Sequence, residues 1–294
     1  MITPAPIPRL SSNQTLHTLS VGPLRMTIDA AKGARIVEFS HDGQNVLAGP
    51  EINPANYGST FWPSPQSLWG WPPVAAIDSD PYTGGATGDA LLFTSQPGRL
   101  GDGATAATLT VAKRFVAVPD LPAIDVTYTL TNVSAAGVPP IEVAPWQITR
   151  VRGTRGLTFF ALGKGPVSAS PGLPIHVEDG VGWYAFSPAA GDAKTFADGQ
   201  GWLAHVTGDH LLFVLRFEDI APADSPAGES EIELYTGSPT VAGDYVELEP
   251  QGRQQTLAPG QSLGYTVRFL LRPLPANLAA TVGNFALVDY VLSL

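Results

Sequence analysis

The segment 124–132 alternates without a break: Ile124, Val126, Tyr128 and Leu130 point one way, and Asp125, Thr127, Thr129 and Thr131 the other. A period of two marks a strand with one dry and one wet face, and such strands pair antiparallel. Short apolar or alternating runs recur at residues 19–29, 34–40, 44–47, 91–95, 104–117, 141–151, 157–161, 182–186, 201–207, 211–217, 231–236, 245–249 and 262–271. Turn residues punctuate them, as in Ala31-Lys-Gly33, His41-Asp-Gly43 and Gly208-Asp209, where glycine supplies the positive φ a tight hairpin needs. So many short strands with no helical patterns between them predict an all-β fold, one large antiparallel β-sandwich. A single helix is predicted over 276–294, after Pro275, because Leu278, Val282, Phe285, Val288 and Leu292 recur at near-helical spacing. Residues 1–18, rich in Pro, Ser and Asn, read as an N-terminal surface segment, and 19–294 as a single domain.

Composition narrows the partners. The net charge is −10 and the four lysines (Lys32, Lys113, Lys164, Lys194) are scattered, so no nucleic-acid partner is expected. A neutral or cationic small ligand fits this balance better than a polyanion. No apolar run approaches the length of a membrane span, and the N-terminus lacks the basic start and apolar core of a secretory leader. A soluble protein of the cytoplasm or periplasm, monomer or homodimer, is therefore expected. Cysteine is absent, which removes disulfides, thiolate nucleophiles and thiolate metal ligands together. The five histidines show no metal-ligand spacing, and there is no phosphate-binding or dinucleotide motif. No metal and no cofactor are expected.

The stretch Phe61-Trp-Pro-Ser-Pro-Gln-Ser-Leu-Trp-Gly-Trp-Pro-Pro73 holds three of the six tryptophans and four prolines. Proline breaks helices and removes ladder bonds from central strands, so the stretch reads as a stiff, irregular loop. Its indoles either lid one end of the core or form a wall on which a sugar ring stacks. The second notable segment is Asp244-Tyr-Val-Glu-Leu-Glu-Pro250. In a strand, Glu247 and Glu249 share one face while Val246 and Leu248 go to the core. Two carboxylates so placed are either solvated, paired with a cation such as Arg35, Arg150 or Arg152, or shifted in pKa, and a raised pKa suits acid–base work. His205 faces the same way as Leu203, as a hydrogen-bonded core histidine or a proton donor.

Taken in order, several segments resemble the aldose-1-epimerase (galactose mutarotase-like) superfamily. Lys32-Gly-Ala-Arg-Ile36 and Gly43-Gln-Asn-Val-Leu47 resemble its opening hairpins. Thr129-Leu-Thr-Asn132 and Ala144-Pro-Trp-Gln147 resemble the strand pair that leads to its catalytic histidine. Val246-Glu-Leu-Glu-Pro-Gln251 resembles its catalytic L-E-x-Q strand, and Leu257-Ala-Pro-Gly260 its closing turn. The W-P-x-P-Q and W-x-W-P-P segments resemble a bacterial branch of that superfamily. The resemblance implies a β-sandwich that binds a carbohydrate across one concave face, with Glu249 as base and Glu247 beside it. It implies sugar stacking on Trp62, Trp69, Trp71 and Trp146, and hydrogen bonds to sugar hydroxyls from Gln66, Gln147 and Arg150. The chain departs from the family where the general-acid histidine belongs, since Val143-Ala-Pro-Trp-Gln-Ile148 has none. The sugar-contacting arginine after the early Pro-rich segment is missing too. His205 is the remaining candidate acid for an epimerase-like or isomerase-like proton transfer. The alternatives are a non-catalytic glycan-binding module and a β-sandwich that uses the aromatic loop against a protein partner.

Overall fold

The computed structural model describes residues 8–103, 106–169, 172–188, 191–208, 210–237 and 244–294. They form two large sheets packed face to face, with one C-terminal helix. We call the sheets front and back. The centre of the front sheet runs, in spatial order, Arg35–His41, Ser59–Ser64, Ile141–Arg152, Tyr245–Pro250, Ile232–Thr236 and Ala193–Ala197. The back sheet includes Val181–Ala185, Leu157–Ala161, Trp202–Val206, Leu211–Arg216, Ser262–Pro273, Ala123–Asn132 and Ala107–Ala117 in spatial order. The alternation predicted at 124–132 is met: Ile124, Val126, Tyr128 and Leu130 enter the core while Asp125, Thr127, Thr129 and Thr131 alternate with them.

The main core lies between the sheets. Val246, Leu248, Ile232, Leu234 and Phe61 reach it from the front sheet, and Phe213, Phe269 and Tyr128 from the back. Phe61 stacks on Tyr128 at 4.4 Å between centroids and 9° between planes. A second apolar cluster covers the outer face of the back sheet, where Phe159, Trp183, Trp202 and Leu270 pack under the helix residues Leu287, Val288 and Val291.

Three expectations need correction. The tryptophan stretch is not a loop throughout, because Ser59–Ser64 is a central strand of the front sheet. Proline is tolerated there because Pro63 lies directly opposite Pro145 on Ile141–Arg152. Two facing prolines fit only a non-hydrogen-bonded pair of an antiparallel ladder, where neither residue is asked for an amide hydrogen. The helix is shorter than predicted, Phe285–Leu292. Gly283 has φ of 77°, a left-handed conformation that no α-helix continues through. The N-terminal segment is not merely surface chain, since Arg9–Asn13 and Leu16–Val21 form a hairpin at the edge of the front sheet. The turn residue Asp209 lies outside the described residues, but the hairpin it serves, Trp202–Val206 with Leu211–Arg216, is present.

A buried lysine adds a polar contact between the sheets. Lys113 projects from the back sheet into the interior, and its Nζ donates to the carbonyl of Gly33 at 2.7 Å. Gly33 itself sits at φ 66°, with Asp78 O only 2.0 Å from where a Cβ would be.

Candidate functional site

The outer face of the front sheet is concave and holds a hollow of about 470 Å³. Alternation puts its polar groups there. With Val246 and Leu248 in the core, Glu247 and Glu249 turn outward, as read from the sequence, yet they are 5% and 1% exposed. They are buried because neighbouring strands bring large side chains over them. Glu247 lies between Arg150 and Tyr235 in the ladder, and Glu249 lies opposite Glu233. Lys194 lies opposite Tyr235 on the next strand.

Two ion-pair groups result. Arg150, itself fully buried, gives Nε to Glu247 Oε1 at 2.9 Å and Nη1 to Thr60 Oγ1 at 3.0 Å, and lies over the Trp62 ring. Lys194 bridges two carboxylates, Glu233 Oε2 at 2.6 Å and Glu249 Oε2 at 3.0 Å, and sits 4.6 Å from the centroid of Trp146. Gln251 Nε2 donates to the other oxygen of Glu233. Burial pushes the Glu249 carboxyl up to about 7 even though the Lys194 ammonium pulls it down. Burial likewise raises Glu233 well above the carboxylate range. Burial works against the charge of Lys194, but the pull of Glu249 and Glu233 outweighs it and holds that ammonium above its ordinary pKa. A buried carboxylate near neutrality in pKa can take or give a proton at physiological pH.

Among the described residues, neither Glu249 Oε1 nor Trp146 Nε1 has a hydrogen-bond partner. Both residues line the hollow. An acceptor and a donor left unpaired in a buried setting are costly, by about 1–3 kcal/mol each.

The tryptophans divide. Trp62, Trp71 and Trp146 line the hollow. Trp62 packs edge-on against Trp69, Trp71 and Trp146 and donates Nε1 to Asp78 Oδ1 at 2.7 Å. Trp69 stands behind Trp62 and is fixed by a 2.7 Å bond from Nε1 to Pro63 O. Gln66 lines the hollow, and its backbone amide donates to Glu229 Oε1. Arg150, fully buried, does not line the hollow.

Four of the site residues read from the sequence do not line the hollow: Trp69, Arg150, Gln147 and His205. Gln147 is one residue out of phase with Trp146 on the same strand, so it points between the sheets, where Nε2 donates to Ser59 Oγ at 2.7 Å and to Thr149 Oγ1. His205 belongs to the back sheet. Its Nε2 donates to Arg152 O at 3.2 Å, which leaves Nδ1 to accept from Thr158 Oγ1 at 2.9 Å. Burial lowers its pKa to about 4. It is a neutral, satisfied core residue and no proton donor to the hollow.

Sequence reading passed over Lys194, Glu233, Tyr235, Tyr245 and Asp78. A signal existed for some. Glu231, Glu233 and Tyr235 alternate with Ile232 and Leu234, the same pattern that singled out Glu247 and Glu249. Lys194 is one of only four lysines and alternates with Ala193 and Thr195. Nothing local marked them as neighbours of Glu249, because strand pairing joins them from 16 and 55 residues away. Among the described residues no group of three or more His, Asp or Glu side chains is arranged to hold a metal ion, and no helix is long and apolar enough to cross a membrane.

Comparison with sequence-family models and with curated proteins gave no match. Solved structures do match. A putative aldose 1-epimerase from Escherichia coli superposes with a TM-score of 0.60 at 14% identity, over 88% of this chain and 99% of that one. A galactose mutarotase-like protein from Lactobacillus casei gives 0.60 at 13% identity, over 87% and 100%. A putative mutarotase from Salmonella typhimurium gives 0.57 at 11% identity, over 93% and 95%. Two antiparallel sheets, one short helix and a concave polar face thus make up a galactose mutarotase-like β-sandwich, and that is the fold of this chain.

Proposed function

We propose that this protein binds a carbohydrate in the front hollow and that Glu249 accepts the proton of the anomeric hydroxyl. The observation that carries this reading is the unpartnered Oε1 of a buried carboxylate, beside the unpartnered Nε1 of Trp146, on the floor of an aromatic-walled hollow. Sugar rings have apolar C–H faces and polar rims. Indole faces take the first, and the Glu249–Trp146 pair takes a hydroxyl on the second. The putative aldose 1-epimerase of like fold adds weight.

The proton of O1 passes to Glu249. The electron pair left on O1 forms the carbonyl as the bond from C1 to the ring oxygen breaks, and water in the open hollow protonates the ring oxygen. Rotation about C1–C2 and reclosure on the other face, with the protons returned, give the second anomer. Lys194 remains charged throughout and offsets the negative charge that builds on O1. The test is exchange between α and β anomers of aldoses, followed by NMR. Glu249→Gln keeps the fold and abolishes exchange; full exchange in that variant would remove Glu249 from the role.

A second reading, glycan binding without turnover, is favoured by two observations: Lys194 occupies Oε2 of Glu249, and no histidine is among the residues that line the hollow. Sugar binding unchanged in Glu249→Gln, with no exchange in the native protein, would select it.

A further inference from the structure

We infer that the site takes a saccharide of at least two linked rings, with its reducing-end ring over Glu249 and the next ring in an adjoining hollow beside Trp71. This rests on the reading of the front hollow as a sugar site. The adjoining hollow, of about 300 Å³, shares Ala55, Asn56 and Trp71 with the first. The two adjoin at the Trp71 indole. That indole is 60% exposed, the most exposed large apolar side chain among the described residues. An exposed indole at the border of two hollows offers a large apolar surface that a ligand spanning both would cover.

The second hollow has its own polar groups. Arg35 lines it and is 3% exposed, and among the described residues its Nε has no partner. Its other nitrogens are spoken for: Nη1 donates to Ala55 O at 3.2 Å, and Nη2 pairs with Asp78 Oδ2 at 3.2 Å. The guanidinium lies 4.6 Å over the Tyr57 ring. Lys32 stands exposed at the lip. The hollows are complementary in chemistry. The first offers carboxylate acceptors in Glu247 and Glu249, and the second offers cationic donors in Arg35 and Lys32. Asp78 couples them, with Oδ1 on Trp62 of the first and Oδ2 on Arg35 of the second. A linked ring, rather than a second free sugar, is inferred because the two hollows share Ala55, Asn56 and Trp71 as a common border. Proton transfer at Glu249 requires a free anomeric hydroxyl, so the second ring is joined through a non-anomeric carbon of the first.

The experiment is titration of the intact protein by intrinsic tryptophan fluorescence and calorimetry with glucose, galactose, maltose, cellobiose and lactose. At least one disaccharide should bind tenfold or more tightly than its constituent monosaccharides. Lys32→Ala and Tyr57→Ala should each shrink that gap at least threefold and leave monosaccharide affinity unchanged. Lys32 is exposed, so its variant folds even if the Tyr57 variant does not. Monosaccharides that bind as well as every disaccharide would overturn the inference and leave the first hollow a sugar site. Variants that weaken both classes equally would overturn it too. No binding by any of the five sugars would sink the inference together with the reading beneath it.

Discussion

The outer faces of the two sheets start from the same strand geometry and end as opposites. On the back sheet, Phe159, Trp183 and Trp202 meet the helix residues Leu287, Val288 and Val291, and that part of the face is apolar and covered. Phe159 stacks on Trp183 at 5.2 Å, and Phe285 meets Trp183 edge-on. The C-terminal helix does not pack on the front sheet, whose outward positions hold Arg150, Glu247, Glu249, Glu233 and Lys194 instead. Buried ion pairs are weak sources of stability, since desolvation offsets their attraction. A fold that merely needed to cover this face had the apolar solution in hand on its other side. On the proposed reading the polar network serves the ligand, while the tryptophans beneath the helix serve packing.

This contrast can be broken by experiment, the largest effect first. Glu249→Gln should lower the rate of anomer exchange by about 10²–10⁴-fold, the usual worth of a positioned base, with little change in melting temperature. In the native protein the rate should rise as the pH climbs through about 7, where Glu249 loses its proton; a flat profile from pH 5 to 9 would argue against a base of this kind. Trp183→Ala should behave inversely, with a loss of about 3–5 kcal/mol in stability and no change in sugar affinity at temperatures where the variant is folded. Urea unfolding and calorimetric titration of the same samples separate the two.

His205 gives a middle-sized effect. Its pKa is about 4 when folded against an ordinary 6.5, so the unfolded chain binds the extra proton first. Its contribution is whole above pH 6.5 and is lost as the pH falls from 6.5 towards 4, by about 3 kcal/mol at most. Replacement by Gln should flatten that part of the stability profile without touching exchange; an unchanged slope would show the titrating group to be another. The smallest effect belongs to Trp71→Ala. Stability should stay within about 0.5 kcal/mol, as at most exposed sites, while sugar binding weakens by about 1–3 kcal/mol for one indole face. A Trp71 variant that binds as well as the native protein would take that indole out of the site.

The sequence made the sandwich legible because strands alternate locally: the facing of Glu249 follows from Val246 and Leu248 alone. Gln147 and His205 show the limit. Each has a polar side chain on a strand, but which face of that strand meets a ligand depends on which sheet it joins, and pairing partners lie far along the chain. Lys194 went unremarked for the same reason, since its place between two carboxylates exists only once three strands are aligned. Proline misled in the other direction. Pro63 reads as a strand breaker until Pro145 is found opposite.

Gly33 has a consequence that reaches beyond its turn. The carbonyl of Asp78 approaches so closely that even a methyl group at position 33 would collide with it. Asp78 in turn aims the Trp62 indole and anchors Arg35, while the Gly33 carbonyl is gripped from the opposite sheet by Lys113. The distance between the sheets is thus transmitted, through a residue with no side chain, to the orientation of an aromatic wall. Alignment of the proposed binding surface is tied to the packing between the sheets, through Lys113, Gly33 and Asp78.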